Sequence, residues 1–130
     1  GAAPLGLIFS LVREAQAMGE PVVWVGWGDT VFFPPDVAAG GVDLGSLAVV
    51  RAAGIREALR ATHHLLCSGA FGMLILDVRE EQVPQGILGR CARLAEKNAI
   101  ALLCLTEGGR DRGLGSLVSM RVQICGWSFI

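Results

Sequence analysis

Four short runs of apolar residues, separated by segments with helical periodicity, constrain the fold of this chain more than any other feature. The runs are PVVWVGW at 21–27, LAVVR at 47–51, GMLILD at 72–77 and AIALLCL at 99–105. The first is continuously apolar and rich in valine, as in a strand that is buried on both faces. Such strands are typical of a parallel sheet covered by helices on its two sides.

Three helices are predicted around these strands from apolar residues at helical spacing. The first covers residues 5–18 and ends at Gly19, with an apolar face formed by Ile8, Leu11, Val12, Ala15 and Met18. The second covers residues 55–66, and the third is centred on residues 87–95. A short helix is also predicted from Pro35 to Ala39, before Gly40 and Gly41.

The order of these elements predicts one α/β domain over residues 1–130, with a mainly parallel sheet and helices on both faces. Near the C-terminus, apolar and polar residues alternate over 118–124, which predicts an antiparallel edge strand. The chain starts at a helix and lacks the strand that normally precedes such a helix in this kind of fold. We therefore expect a truncated piece of a longer protein.

Composition and charge exclude several classes of protein. With 52% hydrophobic and 18% charged residues, the chain is too apolar for a disordered protein. Its formal net charge of −1 provides no global basic field, so we expect DNA binding to be weak at best and salt-sensitive. No apolar run has transmembrane length, and no signal peptide is recognisable, which predicts a cytoplasmic protein without membrane contact.

The cysteines and histidines predict neither a metal nor a catalytic site. The four cysteines, Cys67, Cys91, Cys104 and Cys125, form no C-x-x-C motif, and we expect them to be buried and reduced. His63 and His64 are adjacent, so on a helix they point about 100° apart and do not share one metal. No nucleophile motif is present, and the chain is not predicted to be an enzyme.

The opening residues, GAAPLGLI, place Gly1 and Gly6 at the glycine spacing of a phosphate-binding P-loop. In that motif a lysine and a hydroxyl residue follow the second glycine, and they bind phosphate and magnesium. Here these positions hold Leu7 and Ile8, so nucleotide binding of the usual kind is not expected, and no cofactor is predicted. If Gly1 to Ala3 is a cloning remnant, the glycine spacing has no meaning.

Asp77 ends the apolar strand MLILD, which is the pattern of a Walker B aspartate. The alternative is a strand-end acid that caps a loop. Asp29 and Glu107 also follow strand ends, so they are predicted at the same rim of the sheet. Two or three carboxylates there would suit a metal, but solvated loop acids are the favoured interpretation. With Leu7 and Ile8 in the P-loop position, Asp77 is interpreted as a mark of ancestry.

Several segments together resemble the RecA superfamily. They are GGVDLGSLAVV, CSGAFGMLILD before Asp77, and LGSLVSMRVQI near the C-terminus. Within that superfamily, GEPVVWVG, FFPPDVAAGGVDL, LAEKNAIALLCLT and GSLVSMRV resemble ImuA, a family of degenerate RecA homologues in bacterial SOS mutagenesis. The resemblance covers nearly the whole chain. Residues 78–90 and 107–115 are shorter than the DNA-binding loops of RecA, so RecA-type DNA binding is not carried over.

The resemblance implies a RecA-like core that acts as a non-catalytic adaptor in SOS-induced translesion DNA synthesis. Its implied partners are RecA, the polymerase-like ImuB, or both, and self-association is also considered. Two alternatives stay open, a SulA-like cell-division inhibitor that binds FtsZ and a nucleotide-binding RecA-family ATPase domain. Candidate contacts with partners lie near the rim and the C-terminus: Asp29, Phe32, Phe33, Arg110, Arg112, Trp127 and Phe129.

Overall fold

The computed structural model describes residues 2–27, 41–77, 85–106 and 121–126 of the chain. Within these ranges the helices are α1 (Ala2–Ala17), α2 (Ile55–Ser68) and α3 (Gln85–Lys97), with a short 3₁₀ helix at Leu44–Ser46. Its strands are β1 (Val22–Trp27), β2 (Leu47–Ala52), β3 (Met73–Asp77), β4 (Ala101–Thr106) and β5 (Arg121–Gly126). The short helix predicted from Pro35 to Ala39 lies outside the described residues.

The five strands form one sheet in the order β2-β1-β3-β4-β5. The first four strands in this order are parallel, whereas β5 runs antiparallel to β4. The α/β class, the parallel sheet and the antiparallel strand near the C-terminus are therefore confirmed. The arrangement is compatible with a Rossmann-type or a RecA-like α/β fold.

The helices cover both faces of this sheet, and each face has its own apolar core. α1 packs on one face, where Ile8 and Val12 meet alternate residues of the strands, such as Trp24, Ile75 and Leu103. α2 and α3 pack on the other face, against the intervening strand residues. This alternation follows from strand geometry, because successive side chains point to opposite faces. It explains why β1 is apolar throughout, and why β3 and β4 are apolar up to their last residues, Asp77 and Thr106.

Helix α1 differs at both ends from the predicted span of 5–18. It begins at Ala2, and Pro4 falls in the first turn, where a missing N–H costs no helical hydrogen bond. It ends at Ala17, and the chain then turns through Gly19, whose φ is +78°. Met18, predicted on the apolar face, is 76% exposed because it lies in this turn beyond the helix.

The edge position of β2 explains why it is less buried than the other parallel strands. Ala48 and Val49 are exposed, although Leu47 is buried against the α1 face. The approach to β2 is fixed by a reciprocal pair of hydrogen bonds, each 2.9 Å long. The Asp43 backbone N–H donates to Gln16 Oε1, and Gln16 Nε2 donates to the Asp43 carbonyl. These bonds tie α1 to the start of the edge strand.

The helices were compared in length and composition with what a lipid bilayer requires of a spanning segment. Among the described residues, none of them combines the length and the apolar character that a membrane crossing requires.

Candidate functional site

A buried aspartate lies at the carboxyl end of the parallel strands and is hydrogen-bonded to a tryptophan. Asp77 is the last residue of β3 and is fully buried. The indole Nε1 of Trp24, in β1, donates a hydrogen bond to Asp77 Oδ2 over 3.3 Å. Trp24 is itself buried in the core beneath α1. The Walker-B-like carboxylate is therefore held inside the α1 face of the domain.

Strand register explains how these two side chains meet. Trp24 pairs with Ile75, and Gly26 pairs with Asp77. Trp24, Gly26 and Asp77 thus fall on the same face of the sheet, and Gly26 has no side chain that would separate the other two. The ring of Phe9, from α1, lies over Trp24 with a centroid distance of 6.2 Å. The aromatic pair and the glycine together position the indole N–H toward the carboxyl group.

The chemical meaning of this contact follows from the cost of burying a polar group. A buried carboxyl group needs hydrogen-bond donors, because a polar group left without a partner in the core destabilises the folded state by about 1–3 kcal/mol. The indole N–H is such a donor, and it is neutral and fixed by packing. Asp77 is therefore not a solvated acid at the rim. The sequence feature that indicates this contact is the spacing of Trp24 and Gly26, which lie two residues apart in β1 and therefore on the same face of the strand.

The residues at the P-loop position belong to helix α1. Gly6 lies inside the helix, whereas Gly1 lies outside the described residues. Leu7 is 51% exposed, and Ile8 is fully buried in the core cluster beneath α1. In this structure the two substituted residues thus have different surroundings, one in solvent and one in the core.

None of the partner contacts that the sequence predicts falls within the described residues. Outside the described residues lie Asp29, Phe32, Phe33, Glu107, Arg110, Arg112, Trp127 and Phe129. Two of the described helices carry exposed arginine and lysine residues at helical spacing, which offer another candidate surface. They are Arg56 and Arg60 on α2 and Arg90, Arg93 and Lys97 on α3.

The three cysteines whose burial the structure describes fall into two classes. Cys91 and Cys104 are buried, as expected, and burial raises the pKa of the Cys91 thiol, although the nearby Arg90 charge partly opposes this effect. A raised pKa keeps the thiol protonated and therefore poorly nucleophilic. Cys67 was also expected to be buried, but it is exposed. The reason is its position on the solvent face of α2, one residue beyond the buried Leu66.

Cys67 has a neighbour that sequence reasoning missed. Its Sγ atom lies 3.8 Å from Nε2 of His63, one helical turn earlier. The signal was the spacing His63-x-x-x-Cys67, which puts both side chains on one helix face. Within the described parts of the chain, no three His, Cys, Asp or Glu side chains come together as a metal-binding group.

Compared with known proteins, the chain matches no family model and no curated protein.

Proposed function

We propose that this chain is a non-catalytic, RecA-like adaptor of the ImuA type, which acts in the cytoplasm during SOS-induced translesion DNA synthesis. It works through contacts with RecA, ImuB or both. The resemblance of ordered segments along the chain supports this proposal. A parallel sheet with helices on both faces is compatible with it.

The observation that carries the proposal is the packing of α1 at the P-loop position. A P-loop cradles phosphate with backbone N–H groups that are free of other partners. Gly6 lies inside a helix, where N–H groups bond to carbonyls four residues earlier. Ile8 is fully buried in the core, at the position where a magnesium ligand would face the nucleotide. The first turns of α1 therefore pack on the sheet and do not form a phosphate-binding loop.

The surroundings of Asp77 support the same conclusion. In a nucleotide site this acid would be presented at the rim, near the metal. Here its carboxyl group is buried and accepts a hydrogen bond from the Trp24 indole. A carboxylate used in this way contributes to the core of the domain. An adaptor keeps such a core because it needs a stable surface for its partners.

The first test concerns nucleotide. We expect isothermal titration of the purified chain with Mg-ATP to show no binding, because position 7 supplies no charge and position 8 no hydroxyl group. The double variant Leu7→Lys/Ile8→Thr is expected to stay inactive, since Gly6 would still lie in a helix. RecA serves as the positive control. Binding of Mg-ATP in the micromolar range by the unmodified chain would instead favour a nucleotide-binding RecA-family domain.

The second test concerns partners. We expect the immobilised chain to retain purified RecA or ImuB and not FtsZ. The variant Arg110→Glu/Arg112→Glu should weaken this retention, because these arginines are the predicted rim contacts. The matched control is Arg90→Glu/Arg93→Glu, which makes the same charge change on the exposed face of α3. The melting temperature of the α3 control should stay nearly unchanged, since exposed charges contribute little to stability, and we expect the same of the rim variant.

Two outcomes of the partner experiment would contradict the proposal. Retention of FtsZ without RecA or ImuB would assign the chain to the SulA-like class. Equal loss of retention in the rim variant and in the α3 variant would show that net charge, and not a rim contact, governs the interaction.

A further inference from the structure

The solvent-facing side of α3 carries three cationic side chains in one row. They are exposed and follow one another at intervals of three and four residues, which places them on the same side of the helix: Arg90, Arg93 and Lys97. The row extends for about 10 Å along the helix axis, at 1.5 Å per residue. Leu88 and Cys91, in contrast, are buried against the sheet.

The charge of this row is not neutralised within the described part of the chain. No carboxylate there pairs with Arg90, Arg93 or Lys97, and Glu96 is the one acid in the sequence of the helix. Three cations and one acid leave the exposed face of α3 with a net charge of +2. Like charges at this spacing destabilise a helix. A bound anion would relieve that repulsion.

The helix backbone beside the row is open to close approach. Gly86 and Gly89 lie in α3, although glycine is a poor helix former. A Cβ at Gly86 would meet no described atom within 4 Å, and one at Gly89 would meet only Nη1 of Arg93, at an ordinary 3.7 Å. Packing among the described residues therefore requires neither glycine. Their absent side chains instead allow a ligand to come close to the helix beside the guanidinium groups.

The chemistry of the row selects the class of ligand. Two of its three cations are arginines, whose planar guanidinium groups match the oxygens of a phosphate. Among the described side chains of α3, no large apolar one is exposed. A membrane-surface helix needs an exposed apolar face, and the core of a protein interface is depleted of lysine. We propose that the outer face of α3 binds the phosphate backbone of a nucleic acid strand.

The dimensions of the row and its few contacts define how such a strand binds. At a rise of about 3.4 Å per nucleotide, a strand carries three or four phosphates along the row. Backbone contacts of this kind read no sequence, so the dissociation constant should lie at about 10⁻⁴–10⁻⁶ M at physiological salt. This binding is independent of the adaptor role proposed above, because it needs neither RecA nor ImuB.

Fluorescence anisotropy with a short labelled oligothymidylate tests the proposal. Three contacts with a single strand predict that the logarithm of the binding constant falls with the logarithm of the salt concentration with a slope of about −2. In Arg90→Ala/Arg93→Ala one contact remains. The slope should then flatten to about −0.7, and binding at physiological salt should weaken about tenfold.

The matched control is Arg56→Ala/Arg60→Ala, which makes the same charge change on the exposed side of α2 and should keep the slope near that of the parent chain. Because all four arginines are exposed, both variants should retain the circular dichroism of the parent. The proposal is overturned if the parent shows no salt-dependent binding, or if the α2 variant loses as much affinity as the α3 variant. Competition by polyglutamate as effective as that by unlabelled oligothymidylate would also overturn it, in favour of an acidic protein segment.

Discussion

Replacing Trp24 with alanine is expected to lower the free energy of unfolding by about 3–5 kcal/mol, the usual cost of truncating a buried aromatic residue. Trp24 is 1% exposed, packs against Phe9 and donates to Asp77, so the change removes apolar contacts and a buried hydrogen bond together. Chemical denaturation followed by circular dichroism measures the effect. A loss of this size approaches half the stability of many domains.

Two milder variants separate packing from hydrogen bonding at this position. Trp24→Phe keeps much of the apolar volume but removes the indole N–H, and Asp77→Asn keeps an acceptor oxygen but removes the ionisable group. We expect Trp24→Phe to cost about 1–3 kcal/mol, because Asp77 then loses a donor inside the core. If Trp24→Ala unfolds no more easily than the parent chain, the packing described for the α1 face is wrong.

The second large effect is expected at Ile8. Ile8→Ala should destabilise the domain by about 2–5 kcal/mol, because a fully buried side chain is removed and leaves a cavity beneath α1. Leu7→Ala is the matched control, since it shortens the adjacent, half-exposed residue of the same helix. Its effect should stay within about 0.5 kcal/mol, as for most surface substitutions. Thermal or urea denaturation of both variants measures the difference.

This comparison also bears on the nucleotide question. A residue that faced a phosphate site would tolerate truncation, because its side chain would border solvent or ligand. Equal and small effects at both positions would therefore remove the main support for the adaptor proposal.

The strands were predictable because burial on both faces requires a run of apolar residues, which is visible in the sequence. The runs at 21–27, 72–77 and 99–105 contain almost no polar residue, and all three became inner strands. The alternation after residue 117 likewise indicated a different kind of strand, and Arg121–Gly126 is antiparallel. These features depend on local pattern, which a single sequence contains.

The site was less predictable because it depends on contacts between distant residues. The bond between Trp24 and Asp77 joins positions 53 residues apart, and it requires the register that places Gly26 beside the acid. The start of α1 was misplaced because Pro4 and Gly6 discourage a helix locally, although Pro4 is tolerated in a first turn. The exposure of Cys67 was missed because cysteine is on average a buried residue.

The two faces of the sheet are covered unequally by the described helices, since α2 and α3 share one face while α1 packs on the other. Detachment of α1 would therefore open one whole core to water in a single event. Amide hydrogen exchange of β1 and β3 would report that event, because both strands lie in the middle of the sheet. Exchange at these two strands would therefore measure how firmly the first helix is held on the sheet.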